Sequence, residues 1–374
     1  MTANLTEIHS NRQRKLIDAM QRSGFDALVI NPSPSLVYLT GLHFHLMERL
    51  VLMMFSTVDP PIIVIPQLEM RKTEGLPFPM RVYTYSDDPR TWGGVIKEAL
   101  NQSTQVKNIG IEPLHMRYLE FNYLMTALPK ATIQSAENIL SGLRVCKDEL
   151  EIMAMRKAVA TAQLALQATL PLVKPGVTEI DLAAELTIQL LRHASQPEMA
   201  FSPIVSSGPN SANPHALPSE RKLSSGDLLV IDWGARLDGY ISDLTRTFAI
   251  GKVEPELSHI AEIVKNANKA GREAANNRGT AADIDQATRQ IIENAGYGDF
   301  FTHRTGHGIG LESHEEPYIR GDSSLELLPG MTFTIEPGIY LPERGGVRIE
   351  DNMLITAQGA ECLSTLDRDL IVLG

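Results

Sequence analysis

The chain has 374 residues, of which 43% are hydrophobic and 21% charged, and its net charge is −11. That length and balance describe a folded protein with a sizeable core, longer than one core usually organises, so two domains are expected. The acidity excludes nucleic acid and anionic membrane surfaces as main partners, because both demand basic patches.

The two cysteines, Cys146 and Cys362, are far apart and lack C-x-x-C spacing. This excludes a disulfide framework and a thiolate zinc site, and it fits a reducing cytoplasm. The opening "MTANLTEIHSNRQRKLIDAM" has no apolar h-region, and no apolar run has the length of a membrane span. A cytoplasmic protein without a membrane partner is expected.

In chain order, "EIHSNRQRKLIDAMQRSG" spaces Ile8, Leu16, Ile17 and Met20 for a helix ending at Gly24. "DALVI" and "PIIVIP" are short apolar runs of strand type, punctuated by turns such as "NPSPS" at 31–35. The pattern predicts a small α/β domain over residues 1–135, with a boundary near 140. Next, "SGLRVCKDELEIMAMRKAVATAQLALQATL" reads as one strong helix, closed by Pro171 and the "KPG" at 174–176. "TEIDLAAELTIQLLRHA" reads as a second, with Thr178 and Asp181 as candidate N-caps. From residue 225 the pattern becomes strand pairs, with two helices between them near 255–277 and 281–295. No internal repeat or low-complexity segment is visible.

The first strand pair is "GDLLVIDWGARLDGYISDLTRTFAIG", with a strand over 228–233, a turn over Arg236–Gly239 and a second strand to 250. Asp232 and Asp243 are equidistant from the centre of that turn, so the simplest register places them opposite each other. The second pair, "GMTFTIEPGIYLPERGGVRIEDNMLIT", repeats the arrangement with Glu336 and Glu350 around a turn centred near Glu343. Alternation puts Arg348 on the face of Glu350 and sends Val347 and Ile349 to the other. Like charges opposite each other destabilise a sheet unless a cation sits between them. Acidic residues near turns are usually solvated, but Asp232 and Glu336 each end a hydrophobic run, where a solvated charge is out of place.

Between these hairpins, "HRTGHGIGLESHEEP" at 303–317 carries alternating glycines around His307. It fits neither G-x-G-x-x-G nor G-x-x-x-x-G-K-[ST], which sets nucleotide binding aside. His307 reads instead as a metal ligand, flanked by glycines so that backbone can pass close to an inorganic centre. Arg246, Arg344 and Arg348 are too few to neutralise four carboxylates. Asp232, Asp243, His307, Glu336 and Glu350 are therefore read as one metal site. Its mostly hard oxygen donors favour manganese in first place, with cobalt, iron or zinc as alternatives. Four negative charges overcompensate one divalent ion, so two ions with a hydroxide nucleophile are expected.

At these residues the chain resembles the creatinase-fold or "pita-bread" metallopeptidases of family M24, which include methionine aminopeptidase, aminopeptidase P and prolidase. The likeness covers most of 140–374 and is closest to the proline-specific branch, through "PIVSSGPNSANPHA", "IDWGARLDGYISDLTRTF", "HRTGHGIGLESHEEP" and "IEPGIYLPERGGVRIEDN". Residues 1–135, with "YLTGL" at 38–42, resemble the N-terminal domain such enzymes carry. The resemblance implies an α+β pita-bread catalytic domain over 140–374, preceded by a smaller α/β creatinase-type domain that serves dimerisation and substrate access. It implies that Asp243 and Glu350 bridge two ions, that Asp232 completes one coordination sphere, and that His307 and Glu336 complete the other. By the same resemblance Glu336 doubles as acid/base, His215 and His314 contact the reacting peptide, and His303, Tyr340 and Arg348 line the pocket for proline.

The implied activity is hydrolysis of the Xaa-Pro bond at the N-terminus of short peptides, by a homodimer that takes no nucleic acid. Prolidases that prefer dipeptides often carry an arginine directly after HE-x-P, whereas this chain has Tyr318 there and Arg320 two residues on. Aminopeptidase P action on longer peptides therefore stands beside dipeptidase action. "GLHFHLMERL" at 41–50 places His43, His45 and Glu48 together, and is expected to reach toward a partner subunit's active site and shape substrate choice. Two other readings remain: a same-fold hydrolase of a small non-peptide amide, like ectoine hydrolase, and a non-catalytic peptide-binding module. Loss of metal ligands would mark the second, and all five are present.

Overall fold

The computed structural model describes residues 5–102 and 106–374. The chain separates into two compact units, residues 1–144 and 145–374.

The first unit is an α/β layer structure. Its six-stranded sheet runs in the order Arg81–Tyr85, Ile62–Pro66, Leu52–Ser56, Ala27–Ile30, Asn108–Ile111, Thr132–Ser135. Ala27–Ile30 is central, antiparallel to Leu52–Ser56 and parallel to Asn108–Ile111. Its residues are buried on both faces, as a continuous apolar run requires. The helices Pro89–Leu100 and Tyr118–Ala127 bring Trp92, Ile96 and Leu124 against Val29, Val64 and Ile109.

The second unit opens where the sequence reading needs correction. The stretch expected as one helix is two, Glu137–Arg144 and Glu149–Thr169. Asp148 starts the second with a capping box: its carboxylate accepts from Leu150 and Glu151 N–H, and Glu151 answers on the Asp148 N–H. The residues between are extended, with Cys146 bridged to Met331 and the Lys147 N–H bonded to Gly330 O at 2.8 Å. Tertiary pairing thus competes with helix propensity over three residues and wins. Thr178 caps Glu179–Arg192, while Asp181 lies inside that helix.

Two sheets form the body of this unit. One runs Ile371–Leu373, Leu244–Ile250, Leu228–Trp233, Ile204–Ser207; the other runs Glu315–Ile319, Gly306–Gly308, Thr332–Ile335, Asp351–Thr356, Gly359–Cys362. Glu149–Thr169 and Glu179–Arg192 cover the first through Val159, Leu166, Leu182 and Leu186 against Ile231, Trp233 and Phe248. Trp233 is fully buried, and its indole N–H donates to Ala162 O at 2.8 Å. Ala281–Asn294 packs Ala281 and Ile284 on Ile319, Phe333 and Ile335 of the second sheet. The sheets meet at an antiparallel bridge between Thr245 and Glu350. No described helix is long and apolar enough to cross a membrane.

Candidate metal centre

The first hairpin departs from the simplest register. Its loop is the pair Asp238-Gly239, with φ of 50° and 84°, a left-handed pair suited to a two-residue turn. Leu237 therefore pairs with Tyr240, and Asp232 with Thr245 rather than with Asp243. The displacement is two residues, which preserves the face, so the carboxylates still converge. The second hairpin has the spacing read from the sequence: Ile335 pairs with Asp351 and Gly338 with Arg348, leaving Glu336 and Glu350 opposed between the two ladders.

His307 sits in Gly306–Gly308, between the strands Glu315–Ile319 and Thr332–Ile335. Its Nδ1 lies 3.1 Å from Gly308 O and donates to it, which leaves the Nε2 lone pair facing Glu336 Oε1 at 3.5 Å and Asp243 Oδ2 at 3.8 Å. The flanking glycines answer a different need from the one expected. A Cβ on Gly306 would stand 1.9 Å from Thr334 O, and one on Gly308 would stand 2.2 Å from Glu316 O. They admit neighbouring backbone, not an inorganic centre. Gly306→Ala is accordingly expected to destabilise the second unit by about 3 kcal/mol, at the upper end of overpacking costs. Urea denaturation checks this, and an unchanged midpoint would refute it.

Asp243, His307 and Glu350 each offer a ligand atom within 4.8 Å of the others. Asp232 and Glu336 line the same cavity of about 420 Å³, together with His215, His303, Arg304, His314 and Arg348. Three buried oxygens, Asp232 Oδ1, Asp243 Oδ1 and Glu350 Oε1, have no protein hydrogen-bond partner. Burial raises the pKa of Asp243, with Glu350 and Asp232 adding to it. Burial likewise raises Glu350, helped by Glu336 and Asp232, and pushes Glu336 up to about 8. Burial lowers His307, with His314 contributing, and so keeps its imidazole neutral. Crowded carboxylates with orphaned oxygens beside a neutral imidazole fit a hard divalent cation, which would stabilise all of them in their ligating forms.

The surrounding residues hold this set in place, and most were not singled out from sequence. The Asn352 side chain clamps the Asp243 backbone, accepting from its N–H at 3.0 Å and donating to its carbonyl at 2.6 Å. Thr245 Oγ1 donates to Glu350 Oε2 at 2.7 Å. Arg246 donates to Glu350 O and to Asp351, and Arg344 pairs with Glu254 and Glu256 at the surface. Of the three arginines weighed as neutralisers, only Arg348 touches a candidate ligand carboxylate, at 2.6 Å from Asp232 Oδ2. The buried Glu179 accepts from Ser207, Asn210 and Ser219, so it ties both ends of the loop that carries His215. Placement of Asn next to the "IED" acids was the one local signal available for Asn352.

His303, Tyr340 and Arg348 form one linked group. Tyr340 Oη lies 2.9 Å from His303 Nε2 and accepts from Arg348 Nη1 at 3.0 Å. His303 Nδ1 donates to Arg304 O at 2.8 Å, so Nε2 accepts from the Tyr340 hydroxyl. Burial takes His303 down to about 4 and Tyr340 up to about 12, so both stay neutral. Tyr340 is buried and forms no part of the cavity wall. His215 and His314 are exposed at the cavity mouth, with the His314 ring 4.0 Å from that of His307. In the first unit, no metal-type cluster among the described residues includes His43, His45 or Glu48. There the His43 carbonyl accepts from Lys72 and Glu48 pairs with Arg49.

Residues 153–357 match the family described as metallopeptidase family M24, and residues 12–146 match the creatinase/prolidase N-terminal domain. An Xaa-Pro dipeptidase of Pyrococcus horikoshii is 34% identical over 98% of this chain and 100% of its own length. The crystal structure of a dipeptidase from Pyrococcus horikoshii OT3 superposes with a TM-score of 0.91 at 38% identity, covering 97% of this chain and 100% of that one. The structure of an X-Pro aminopeptidase from Thermotoga maritima gives 0.84 at 29% identity, over 96% and 99%.

Proposed function

We propose, from the premise that this chain belongs to metallopeptidase family M24, that it is an exopeptidase hydrolysing the Xaa-Pro bond at the N-terminus of short peptides. Asp232, Asp243, His307, Glu336 and Glu350 would hold two divalent cations, manganese first among the candidates. When bound, such cations lower the pKa of a water and polarise the scissile carbonyl. Glu336 would take up the proton released on attack and return it to the proline nitrogen as that bond breaks. His314, its pKa lowered by burial and by Arg304, is a neutral N–H donor for the carbonyl oxygen, and His215 faces the same cavity.

The observation that carries this reading is the set of three buried, unpartnered carboxylate oxygens beside His307, in a cavity of about 420 Å³. The test uses protein stripped of metal and reloaded with manganese, assayed on Ala-Pro, Ala-Pro-Ala and Ala-Ala-Ala, with bound metal counted in parallel. Cleavage confined to the proline peptides is expected. No cleavage of any of them, with two ions bound per chain, would replace the peptidase reading by the small-molecule amide hydrolase.

A further inference from the structure

Resting on the exopeptidase reading, in which His314 donates to the peptide carbonyl, the structure also bears on what aims that histidine. His314 is exposed at the cavity mouth, its ring packs 4.0 Å from that of His307, and no hydrogen bond to a described residue fixes its imidazole. An exposed side chain held so loosely takes its direction from the backbone that carries it.

That backbone is the irregular stretch 309–314, between the strands Gly306–Gly308 and Glu315–Ile319. Directly after His314 stands Glu315, whose carboxylate accepts from Lys147 Nζ at 2.6 Å. The two residues are 168 positions apart, and their side chains are 5% and 1% exposed. The other Glu315 oxygen accepts from the Glu312 N–H at 3.4 Å, inside the same stretch. Gly310 lies against the pair: a Cβ there would stand 2.6 Å from Glu315 Oε1 and 3.0 Å from Lys147 Cε. Lys147 is itself anchored, since its N–H donates to Gly330 O at 2.8 Å and Cys146 is bridged to Met331. Those partners precede the strand Thr332–Ile335, which leads to Glu336. The pair therefore ties the stretch that carries His314 to the strand that carries the candidate acid/base.

We propose that the buried Lys147–Glu315 ion pair is a positioning element that aims His314 at the reacting carbonyl. A buried ion pair adds little stability over an apolar pair of similar volume, because desolvation offsets its attraction. What it adds is direction: a charge-assisted bond holds two segments at one separation, whereas apolar contact lets them slide. The competing account is that the pair only holds the fold together. In that case an apolar pair that restores stability also restores activity, whereas a positioning element is not replaced by packing.

The experiment replaces both charges at once, Lys147→Met with Glu315→Leu, because Lys147→Met alone leaves Glu315 buried and unpaired and endangers folding. The manganese-loaded full chain is assayed on Ala-Pro as wild type, as this double replacement, as His314→Ala and as the combination of the two. Urea midpoint and bound metal are measured on every sample. The double replacement is expected to keep its midpoint and its metal, to hold KM within about twofold and to lower kcat by about 10- to 100-fold. That is part of the about 10²- to 10³-fold cost of losing a whole oxyanion donor. Added to His314→Ala, it lowers kcat less than about threefold further, because nothing is left to aim. Glu315→Gln, which keeps the shape and an acceptor for Lys147, gives the same cycle at smaller amplitude if the double replacement does not fold. A stable double replacement with kcat within about threefold of wild type overturns the inference, as do losses that multiply in the combined variant. So does a kcat loss that tracks loss of bound metal. A loaded wild type that leaves Ala-Pro uncut overturns the exopeptidase reading itself, and is recognised without any variant.

Discussion

Glu336→Gln is expected to lower kcat on Ala-Pro by about 10²- to 10⁴-fold, the span usually supplied by a positioned acid/base. Glu336 ends the strand Thr332–Ile335, opposes Glu350, and reaches within 3.5 Å of His307 Nε2. In the metal-free site burial pushes its pKa up to about 8, the direction that favours a proton acceptor. Glutamine keeps the shape and loses both the candidate proton site and the negative charge. Steady-state kinetics with metal analysis on the same sample separates these losses. A variant that retains its metal and loses kcat identifies the proton role, and one that loses metal identifies the ligand role. Activity within tenfold of wild type would rule out both.

The second large effect is the pH dependence of the metal-stripped protein. Asp243, Glu350 and Glu336 all have native pKa values raised by burial and by one another, Glu336 from 4.5 to about 8. Between these values the native state binds more protons than the unfolded chain, so stability falls as pH rises. Lowering the pH from 8 to 6.5, above the range where the buried histidines His303 and His307 begin to oppose the effect, should therefore raise the melting temperature of the stripped second unit by about 5–10 °C, at roughly 2–4 °C per kcal/mol for a unit of this size. Bound cations hold the same carboxylates ionised, so the loaded protein lacks this rise, and its advantage over the stripped form is greatest at pH 8. Differential scanning calorimetry of both forms across this range provides the check, with stripped Glu336→Gln expected to respond less. A stripped protein that melts lower at pH 6.5 than at pH 8 would contradict the electrostatic account of the site.

Much of this site was legible because its residues interrupt local patterns. Asp232 and Glu336 each close an apolar strand, where an unpaired charge is costly, and the spacing of Glu336 and Glu350 about Glu343 matches the observed ladder. Asp232 and Asp243 are not opposed because the Asp238-Gly239 pair forms the whole loop, and they still reach one cavity because a displacement of two residues leaves the face unchanged. The break at Val145–Lys147 was signalled by the capping box Asp148-x-x-Glu151, but the helical periodicity running through it obscured the stop.

Periodicity, turn residues and misplaced charges are local, so the sequence alone determined the first helix, most of the long helices of the second unit, the hairpins, the five candidate ligands and the histidines around them. Three things only the tertiary structure decided. Thr245 and Glu350 bridge two sheets, which brings four acids from separate hairpins to one point. Gly306 and Gly308 are required by carbonyls of strands distant in sequence. Arg304 comes to rest on the Tyr318 ring at the cavity wall. Each depends on contact between segments that carry no mark of one another, because side-chain pairing across a fold is set by packing and register rather than by spacing along the chain.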